Sequence, residues 1–467
     1  MGAWGGGERV AKLVWRVKLV AEFAAGETTE VEVARIERAE QAGLADLGLR
    51  LAEAKQVMAA IQAEIVPAQV TTAGEHRRSC AACGHVLASK GHYTATFRSL
   101  FGDVPVRVRR LLTCPCQGAG EARSFAAFDL EAATVAPELA YVTARYAALA
   151  PFGKVADLLS ELLPVSGAPN ASTVRKRTMQ AGKAVTQPHA AKMETAASAK
   201  PVIVGLDGGY VRSRHRQDER HFEVIAGKVI NAEGNQSRFA FVRNSPTIAS
   251  DAFRQALAVA GVTADTPATV LSDGDAGLWR LHRAALPNAT VVLDWWHAAV
   301  RFEHALQAAR GLGAADAHLS AEAVRGLERA KWRLWHGRWP GCRRKLAALC
   351  RWAQRTHVHD VAGVGRLEHH VGELLGYLER NQGALVHYAA RRRNGEPIST
   401  AFVESSVNEI IAKRMNKKQQ MRWNRATVQP FLDVRTRVLN DTLEDAFRHR
   451  YPSFRPANDD EAIALAA

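Results

Sequence analysis

The stretch Val202-Ile-Val-Gly-Leu-Asp207 is an apolar run that ends in a carboxylate, and it decides how the middle of the chain is interpreted. A second run, Ala268-Thr-Val-Leu-Ser-Asp273, has the same form. Short apolar runs of this kind, bounded by polar turns, predict buried strands. A third carboxylate, Glu404, falls in a helix-like stretch near the C-terminus. The sequence therefore predicts two strands that each end in an aspartate and a helix that carries a glutamate.

The elements around these runs follow a recognisable order. Strands are predicted at 202–207, 221–230, 238–242, 268–273 and 290–293, with helices at 250–259 and 276–286. Three strands, a helix, a strand, a helix and a strand is the order of the ribonuclease H fold, a mixed sheet whose first and fourth strands are neighbours. That arrangement would bring Asp207 and Asp273 together at one end of the sheet.

Carboxylates held a few ångströms apart repel one another unless a cation lies between them. Asp207, Asp273 and Glu404 are therefore candidate ligands for Mg²⁺ (or Mn²⁺), which prefers hard oxygen donors. Two such ions could activate a water or a DNA 3′-hydroxyl and stabilise the leaving oxygen at phosphorus. The pattern predicts phosphoryl-transfer chemistry.

Composition narrows the class of partner and compartment. The chain has 467 residues, of which 47% are apolar, and its 62 Lys and Arg against 47 Asp and Glu give a net charge of +15. A strongly basic balance favours a polyanionic partner. No uninterrupted apolar run is long enough to cross a bilayer, and no signal peptide is recognisable. Six cysteines in so long a chain favour a reducing cytoplasm.

Residues 1–70 are predicted to form an N-terminal helical region. Within it, residues 32–65 place apolar side chains such as Ile36, Leu47 and Leu51 among charges and alanines. That spacing predicts one or two amphipathic helices with solvated outer faces. Such helices would dock on a neighbouring domain or contribute to oligomerisation.

Two close cysteine pairs, Cys80-Ala-Ala-Cys83 and Cys114-Pro-Cys116, lie in residues 75–128. Between them, residues 93–97 and 104–110 alternate as hairpin strands do, with Gly102-Asp103 as the turn. Four thiolates suit tetrahedral Zn²⁺, and so small a module folds poorly without it. The second pair has one intervening residue instead of two, and four unrelated buried thiols are the alternative. The pattern favours a zinc-ribbon-like module.

Residues 130–195 show helical periodicity, with a break at 164–169 and a new start at Asn170-Ala-Ser-Thr173, which is a good N-cap signal. The helix that follows carries the candidate DNA-binding residues Arg175, Lys176 and Arg177. A helix, a turn and a basic helix are typical of helix-turn-helix readers. A plain helical linker with a solvated basic face is the alternative.

Helical periodicity also dominates the long interval between Asp294 and Glu404. Residues 200–300 are predicted to form the first part of the core, 301–396 an all-helical insertion, 397–450 the remainder of the core and 451–467 a tail. Four tryptophans lie near arginines in the insertion, at positions 332, 335, 339 and 352. They form its core or stack on unpaired bases.

A basic run follows Glu404. Residues 413–425 contain six basic residues and no acidic one, and the candidate phosphate-binding residues are Lys413, Arg414, Lys417, Lys418 and Arg422. A solvated helix face is the usual alternative for such a run. Its position directly after the candidate active-site helix favours contact with DNA.

Four blocks of sequence together resemble a known family. They are Val270-Leu-Ser-Asp-Gly274, Val292-Leu-Asp-Trp-Trp-His297, Ala401-Phe-Val-Glu-Ser-Ser-Val-Asn408 and Lys413-Arg-Met-Asn-Lys-Lys-Gln-Gln-Met-Arg-Trp423. In these blocks the chain resembles bacterial insertion-sequence transposases of the ISKra type, which belong to the DDE class and are related to Mutator-like transposases. The resemblance extends from about residue 14 to residue 450.

The resemblance implies a multidomain α/β protein with a ribonuclease H-like core, an all-helical insertion and preceding DNA-binding modules. It also implies magnesium-dependent strand cleavage and strand transfer, with Asp207, Asp273 and Glu404 as the metal-binding triad. The implied partners are double-stranded DNA at transposon ends and at the target, and at least one further copy of the chain, because two ends must be held together. Association with the nucleoid would follow.

Asp294 and His297 match the Asp-x-x-His signature that such transposases carry after the fifth strand, where it is thought to support the site. Strand order favours Asp273 as the second metal ligand, because the fourth strand neighbours the first, and Asp294 is the alternative. Asn408, one turn after Glu404, is placed to hydrogen-bond the carboxylate or DNA.

Two other functions fit the same residues. One is a zinc-ribbon DNA-binding regulator whose ribonuclease H-like core is inactive, and the other is a structure-specific nuclease that cuts branched DNA without joining it. Retention of all three carboxylates favours an active enzyme over the regulator.

Overall fold

The computed structural model describes residues 12–22, 26–40, 43–44, 47–117, 123–127, 134–165, 169–186, 200–215, 219–244, 246–312, 316–357, 362–416 and 421–454. Contacts divide the chain into two compact units, residues 1–185 with 443–467, and residues 186–442. Both strands and helices occur in each unit, so the protein belongs to the mixed α/β class that the sequence predicts.

The strands are β1 (Lys12–Glu22), β2 (Thr28–Ala39), β3 (Ser89–Ser99), β4 (Gly102–Leu112), β5 (Ser124–Ala126), β6 (Val202–Arg212), β7 (His221–Ile230), β8 (Gln236–Val242), β9 (Ala268–Ser272) and β10 (Thr290–Leu293). The helices are α1 (Leu51–His76), α2 (Pro137–Leu149), α3 (Phe152–Leu162), α4 (Ala171–Thr186), α5 (Pro246–Val259), α6 (Ala276–Ala285), α7 (Trp295–Gly311), α8 (Ala317–Trp335), α9 (Trp339–His357), α10 (Val364–Arg380), α11 (Tyr388–Arg393), α12 (Ala401–Val407), α13 (Gln429–Leu439) and α14 (Leu443–Arg450). A π-helical segment, Asn408–Asn416, continues α12.

In the second unit, five strands form one mixed sheet in the order β10-β9-β6-β7-β8. Strand β7 is antiparallel to β6 and β8, whereas β9 runs parallel to β6 and β10. The first and fourth strands of this sheet, β6 and β9, are neighbours, as the sequence predicts. Strand β6 is longer than predicted and continues beyond Asp207 to Arg212.

The two faces of β6 have different partners because side chains alternate along a strand. Val202, Val204 and Leu206 are buried in an apolar cluster that includes residues of α5 and α6. The opposite face carries Gly205 and Asp207, and α12 packs there. One face of the sheet is therefore ordinary core, and the other combines a close helix contact with a carboxylate.

The outer strand β8 is capped by side-chain amides from α13. Asn440, directly after α13, accepts a hydrogen bond from the Arg238 N–H at 2.9 Å and donates one to the Arg238 carbonyl at 2.8 Å. Gln429 does the same for Val242 N–H and the Ala240 carbonyl, at 3.0 and 3.2 Å. The backbone groups that would otherwise recruit another strand are thus satisfied within the chain.

At the N-terminus the sequence prediction of helix is wrong. Residues Thr28–Ala39 form strand β2, which pairs with β1 in an antiparallel hairpin. On one face Trp15 lies opposite Ile36 and Leu19 opposite Val31. Apolar and charged residues alternate here with a period of two, which suits a strand and not a helix. Helix appears only from Leu51, in α1.

The paired-cysteine region forms a three-stranded sheet in the order β3-β4-β5. The hairpin of β3 and β4 is the predicted one, although both strands extend beyond the predicted ranges. Val66 of α1 packs with Val104, Val106 and Val108 of β4 in a small apolar cluster. This sheet therefore has a helix covering one face and does not depend on its own side chains alone.

Helices α2, α3, α4 and α14 complete the first unit. Asn170 caps α4 as predicted, its side chain accepting a hydrogen bond from the Thr173 N–H at 2.9 Å. The interval between α3 and α4, residues 163–170, is longer than the three to four residues that are roughly typical of a helix-turn-helix. The two predicted helices are confirmed, and the helix-turn-helix assignment stays a prediction, since residues 166–168 of the connection lie outside the described residues.

The C-terminal residues belong to the first unit. The ring of Phe447 in α14 meets Tyr141 of α2 edge-on with centroids 5.4 Å apart, and Phe454 lies 5.2 Å from the same ring. The prediction that residues 443–450 belong to the ribonuclease H-like core, and 451–454 to a tail, is therefore wrong. These aromatic side chains complete an apolar core that their sequence position does not reveal.

Between β10 and α12 the described residues form helices α7 to α11, which share one large buried cluster with β9 and β10. Trp295, Trp335, Trp339 and Trp352 pack against that cluster. None of the helices in the described part of the chain has the length and apolar character needed to cross a membrane.

Candidate functional site

Three aspartates lie just beyond the parallel-paired parts of three adjacent strands: Asp207 is inside β6, and Asp273 and Asp294 directly follow β9 and β10. The last paired residues of β6 and β9 are Gly205 and Leu271, and Asp207 and Asp273 each follow two positions later. On the other side of β9, Leu293 pairs with Ser272, so Asp294 follows directly beside Asp273. Parallel strands therefore deliver all three side chains to one edge of the sheet, as the sequence predicts for the first two.

Two glycines on the Asp207 face of β6 admit helix α12 to close packing. A Cβ atom at Gly205 would collide with Val403 and Phe402, and one at Gly209 would lie 2.6 Å from Ile411 Cδ1. Because side chains at 205, 207 and 209 share a face, Asp207 stands between two positions where a helix touches the strand backbone. Close packing at these glycines brings Glu404, the next residue after Val403, to the same side of the sheet.

Glu404 and Asn408 are both exposed on the α12 helix and its π-helical continuation. The hydroxyls of Ser405 and Ser406 donate to the Phe402 carbonyl and leave the Glu404 carboxylate without a partner from its own helix. A π-helical turn shifts the facing of the residues that follow it and is frequent at functional sites. Here it begins at Asn408, one turn beyond the glutamate.

The electrostatics of Asp207 link it to the other candidate ligands. Burial, followed by the negative charges of Asp273 and Glu404, raises the pKa of the half-buried Asp207 to about 6. The Gly208 N–H, which donates to Asp207 Oδ1 at 2.7 Å, and the nearby His297 act in the opposite direction. Asp207 is thus the carboxylate on which the other two exert their repulsion.

Asp294 is engaged by protein donors on both of its oxygens. Oδ1 accepts the Trp296 N–H at 2.6 Å, and Oδ2 accepts the Thr400 N–H at 3.1 Å, the Thr400 hydroxyl and His297 Nδ1 at 3.0 Å. Its side chain is only 1% exposed. Burial raises its pKa, but these hydrogen bonds outweigh burial and the pKa of Asp294 is lowered. Such a carboxylate positions its neighbours and has little capacity left for a metal ion.

His297 is fixed by this contact and lies near enough to Asp207 and Asp273 to be influenced by their charges. The hydrogen bond to Asp294 raises the pKa of His297, burial opposes the rise, and the charges of Asp294, Asp273 and Asp207 add to it. With Nδ1 held by Asp294, Nε2 is the ring nitrogen that remains available. The sequence pairing of Asp294 with His297 is therefore a contact in the structure.

Two tyrosines on the helices between β10 and α12 hydrogen-bond the backbone at the ends of β9 and β10. The Tyr377 hydroxyl of α10 donates to the backbone carbonyl of Asp273 at 2.7 Å, and the Tyr388 hydroxyl of α11 donates to that of Leu293 at 2.9 Å. The Arg301 guanidinium lies 4.2 Å from the centre of the Tyr377 ring. Sequence reasoning missed all three residues, although Arg301 could have been found because it lies one helical turn after His297.

The three carboxylates do not form a compact ligand set. Among the described residues, the cysteines discussed below are the only group of three or more Cys, His, Asp or Glu whose ligand atoms all lie within 4.8 Å of one another. Asp207, Asp273 and Glu404 are therefore near enough to influence one another electrostatically and farther apart than such a group requires. Mutual repulsion favours that separation.

The four predicted cysteine ligands do converge. Cys80 Sγ lies 3.6 Å from Cys116 Sγ, and Cys83 Sγ lies 3.5 Å from Cys114 Sγ. Gly84 adopts a φ of +71° directly after the first pair, a conformation that favours glycine, and its N–H donates to the Cys80 carbonyl at 2.8 Å. Backbone N–H groups of Ala82 and Cys83 lower the pKa of the Cys80 thiol to about 7. Four converging sulfurs could hold a metal ion such as zinc.

The candidate DNA-binding residues after Glu404 separate into two classes. Arg414 is 1% exposed, with its guanidinium 5.7 Å from the Trp423 ring and 5.0 Å from the Phe431 ring. Its assignment to DNA binding is therefore wrong in this conformation, because the charge is enclosed by aromatic side chains. Lys413 and Arg422 are exposed. Lys417 and Lys418 lie outside the described residues.

In α4, Lys176 is exposed, whereas Arg175 and Arg177 are half-buried. Burial lowers the pKa of Arg177, and the charge of Asp103 opposes that effect. Arg177 also lines a cavity within the first unit together with Phe447 and Tyr451. Lys176 is consequently the residue of the three that is most open to a DNA partner.

No protein-family model matches the chain, and no curated protein matches it either.

Proposed function

We propose that this chain is a DNA transposase of the DDE class that binds transposon ends and catalyses strand cleavage and strand transfer. The single observation that supports it most is the electrostatic link between a half-buried Asp207, Asp273 on the neighbouring strand and Glu404 on the helix packed across them. The sheet order, with the first strand between the second and fourth, supports a ribonuclease H-like core.

The donor chemistry of the three carboxylates fits Mg²⁺ or Mn²⁺. Within the described residues, Oδ2 of Asp207, Oδ2 of Asp273 and the Glu404 carboxylate accept no protein hydrogen bond. Such ions, when bound, supply activation of the attacking oxygen and stabilisation of the leaving oxygen. Coordination of one ion by all three residues requires their side chains to approach one another more closely, since the three are not within 4.8 Å of one another.

The surrounding residues supply positioning and positive charge. Asp294 holds the His297 ring through Nδ1, and this hydrogen bond raises the pKa of His297. Arg301, one turn further along α7, places a cation over the ring of Tyr377, whose hydroxyl donates to the Asp273 carbonyl. We assign these two side chains to orienting the phosphate that reacts, because fixed cations stabilise the charge that develops on a transferring phosphoryl group.

The remaining parts of the proposal concern DNA binding and assembly. Lys413 and Arg422, which are exposed after Glu404, and Lys176 of α4 would contact phosphates. The cysteine module, with Zn²⁺ in the cluster, would contribute to recognising double-stranded DNA. At least a dimer is expected, because two transposon ends must be joined in one reaction, and association with the nucleoid would follow from DNA binding.

The test uses DNA that flanks the gene, assayed for end cleavage and strand transfer with Mg²⁺. We expect Asp207→Asn and Glu404→Gln to abolish both reactions while binding to the ends is retained, because neither change removes a DNA-contacting cation. The matched control is Asp275→Asn. Asp275 lies two residues after Asp273 but caps α6 by accepting the Gly277 and Leu278 N–H groups, a task that asparagine also performs.

Strand transfer by either carboxylate variant would refute the proposal. Cutting of branched DNA without joining would instead identify a structure-specific nuclease. The separation of the three carboxylates favours a third outcome, a DNA-binding regulator with an inactive core, and end binding by the wild-type chain without any cleavage would establish it.

A further inference from the structure

The turn that carries Asp273 is in contact with residues at the C-terminal end of α10. Gly274 has a φ of +96°, a conformation that favours glycine, and an added Cβ atom would lie 2.8 Å from Asn381 Nδ2 and 3.0 Å from Tyr377 Cε2. The Asp273 side chain takes part in the same turn, since its Oδ1 accepts the Asp275 N–H at 2.9 Å. The orientation of the Asp273 carboxylate is therefore tied to the backbone of the turn.

Three side chains next to this turn are linked by hydrogen bonds. The Tyr377 hydroxyl donates to the Asp273 carbonyl at 2.7 Å. Asn381 Nδ2 donates to the Tyr377 carbonyl at 2.9 Å, and Asn381 Oδ1 accepts the Trp279 Nε1–H at 2.6 Å. Trp279 belongs to α6, the helix that begins three residues after Asp273. The end of α10 is therefore bonded both to the start of the turn and to the helix that follows it.

Burial gives these hydrogen bonds their weight. Tyr377 is 4% exposed, Asn381 5% and Trp279 7%. A buried polar group that loses its partner bears the cost of its desolvation, so removal of one member of such a network is unfavourable. Apolar side chains of similar size would fill the same space without holding the backbone. The polar groups at these positions therefore restrict the turn to one conformation more strongly than packing would.

We propose that Tyr377 and Asn381 are positioning residues that fix the Asp273 carboxylate and thereby set the affinity of the candidate site for Mg²⁺. The inference rests on the proposed function for the role of Asp273 as a metal ligand. Residues that orient a metal ligand typically contribute about 10- to 100-fold to metal affinity. Helix α10 would act on the site through the Asp273 turn and supply no ligand of its own.

The first measurement is hydrogen exchange of a peptide covering residues 272–278, without added Mg²⁺. We expect Tyr377→Phe, which removes the hydroxyl and keeps the ring, to accelerate exchange there by roughly 2- to 12-fold. Asn381→Leu, which removes two hydrogen bonds and keeps the volume, should accelerate it at least as much. The matched control is Thr436→Val in α13, which also deletes a buried hydroxyl that donates to a backbone carbonyl, that of Leu432 at 3.0 Å.

The second measurement is Mn²⁺ binding by electron paramagnetic resonance, in which the site is defined as the binding that Asp207→Asn removes. We expect Tyr377→Phe to weaken this binding by roughly 10- to 100-fold and Thr436→Val to leave it unchanged. DNA cleavage by Tyr377→Phe should fall at limiting Mg²⁺ and return toward the wild-type rate at saturating Mg²⁺, with DNA binding unchanged. A general loss of folded protein would not be recovered by added metal.

Wild-type exchange or wild-type Mn²⁺ affinity in Tyr377→Phe would overturn the inference, as would an equal change in Thr436→Val. Failure of the proposed function has a different result. A chain that binds Mn²⁺ through Asp207 but neither cleaves nor joins DNA would refute the transposase proposal and leave the positioning role of Tyr377 intact.

Discussion

The Asp207 carboxylate is half-buried near other negative charges, and a single hydrogen bond stabilises its ionised form. It is half-buried beside two further carboxylates, and within the described residues its carboxylate accepts only the Gly208 N–H. Burial and like charge both disfavour the ionised form. A side chain in this position lowers the stability of the fold at neutral pH, which is characteristic of functional sites.

This cost has a predictable dependence on pH. The pKa of Asp207 rises from 3.8 to about 6 on folding, so its ionisation opposes folding. The penalty is absent below about pH 4, grows as pH rises through about 6, and amounts to at most about 2–3 kcal/mol. We therefore expect Asp207→Asn to stabilise the protein at pH 8 and to have no stabilising effect at pH 4, measured by urea unfolding.

The matched control for that measurement is Asp251→Asn, at an exposed aspartate of α5, which should behave alike at both pH values. An equal effect of Asp207→Asn at pH 4 and pH 8 would show that burial of the Asp207 charge does not destabilise the folded protein.

At the scale of elements, the contact of α12 with β6 positions Glu404. Gly205 lets Val403 and Phe402 touch the strand backbone. We expect Gly205→Ala to destabilise the protein by roughly 1–3 kcal/mol, the usual effect of overpacking, and to reduce DNA cleavage because the helix must move away from the sheet. Thermal unfolding and the cleavage assay together measure this.

Gly372→Ala provides the comparison. Gly372 lies in α10, where an added Cβ meets nothing within 4 Å, so the same substitution should be neutral or stabilise by up to about 1 kcal/mol. If both variants unfold at the wild-type temperature, the close approach at Gly205 is not a constraint on the helix.

The elements differ in how far the sequence predicts them. The apolar runs of β7 and β10 are bounded by turn residues on both sides, and their predicted bounds equal the observed ones. The convergence of Asp207 and Asp273 followed from strand order alone. The sequence predicts helix at the β1–β2 hairpin because the alternation of apolar and charged residues there passes directly into the helical spacing of α1. The burial of Arg414 depends on Trp423 and Phe431, which meet it only after the chain folds.

At the scale of the whole molecule, the two units differ in what stabilises them. The second has extensive apolar clusters on both sides of its sheet, whereas around the cysteines of the first the buried apolar cluster is small. Small modules with so limited a buried core commonly gain stability from a bound metal. The two units should therefore respond differently to chelation.

We expect the purified protein to contain about one equivalent of Zn²⁺, and its removal to abolish amide protection in β3 and β4 while β6 and β9 remain protected in hydrogen exchange. Cys114→Ser should have the same effect as chelation, and Cys350→Ser, at a cysteine outside the cluster, should keep the metal. Protection of β4 that survives complete removal of the metal would contradict this assignment.

The amides of Gln429 and Asn440, which cap β8, also bear on how the protein behaves when it is shortened. Both lie far along the chain from the strand they cover, so during synthesis β8 is complete long before its caps emerge. A fragment ending before Gln429 would present an unpaired strand edge, the template for fibrillar cross-β growth. The two amides at the ends of α13 therefore cover the strand edge at which such growth would start.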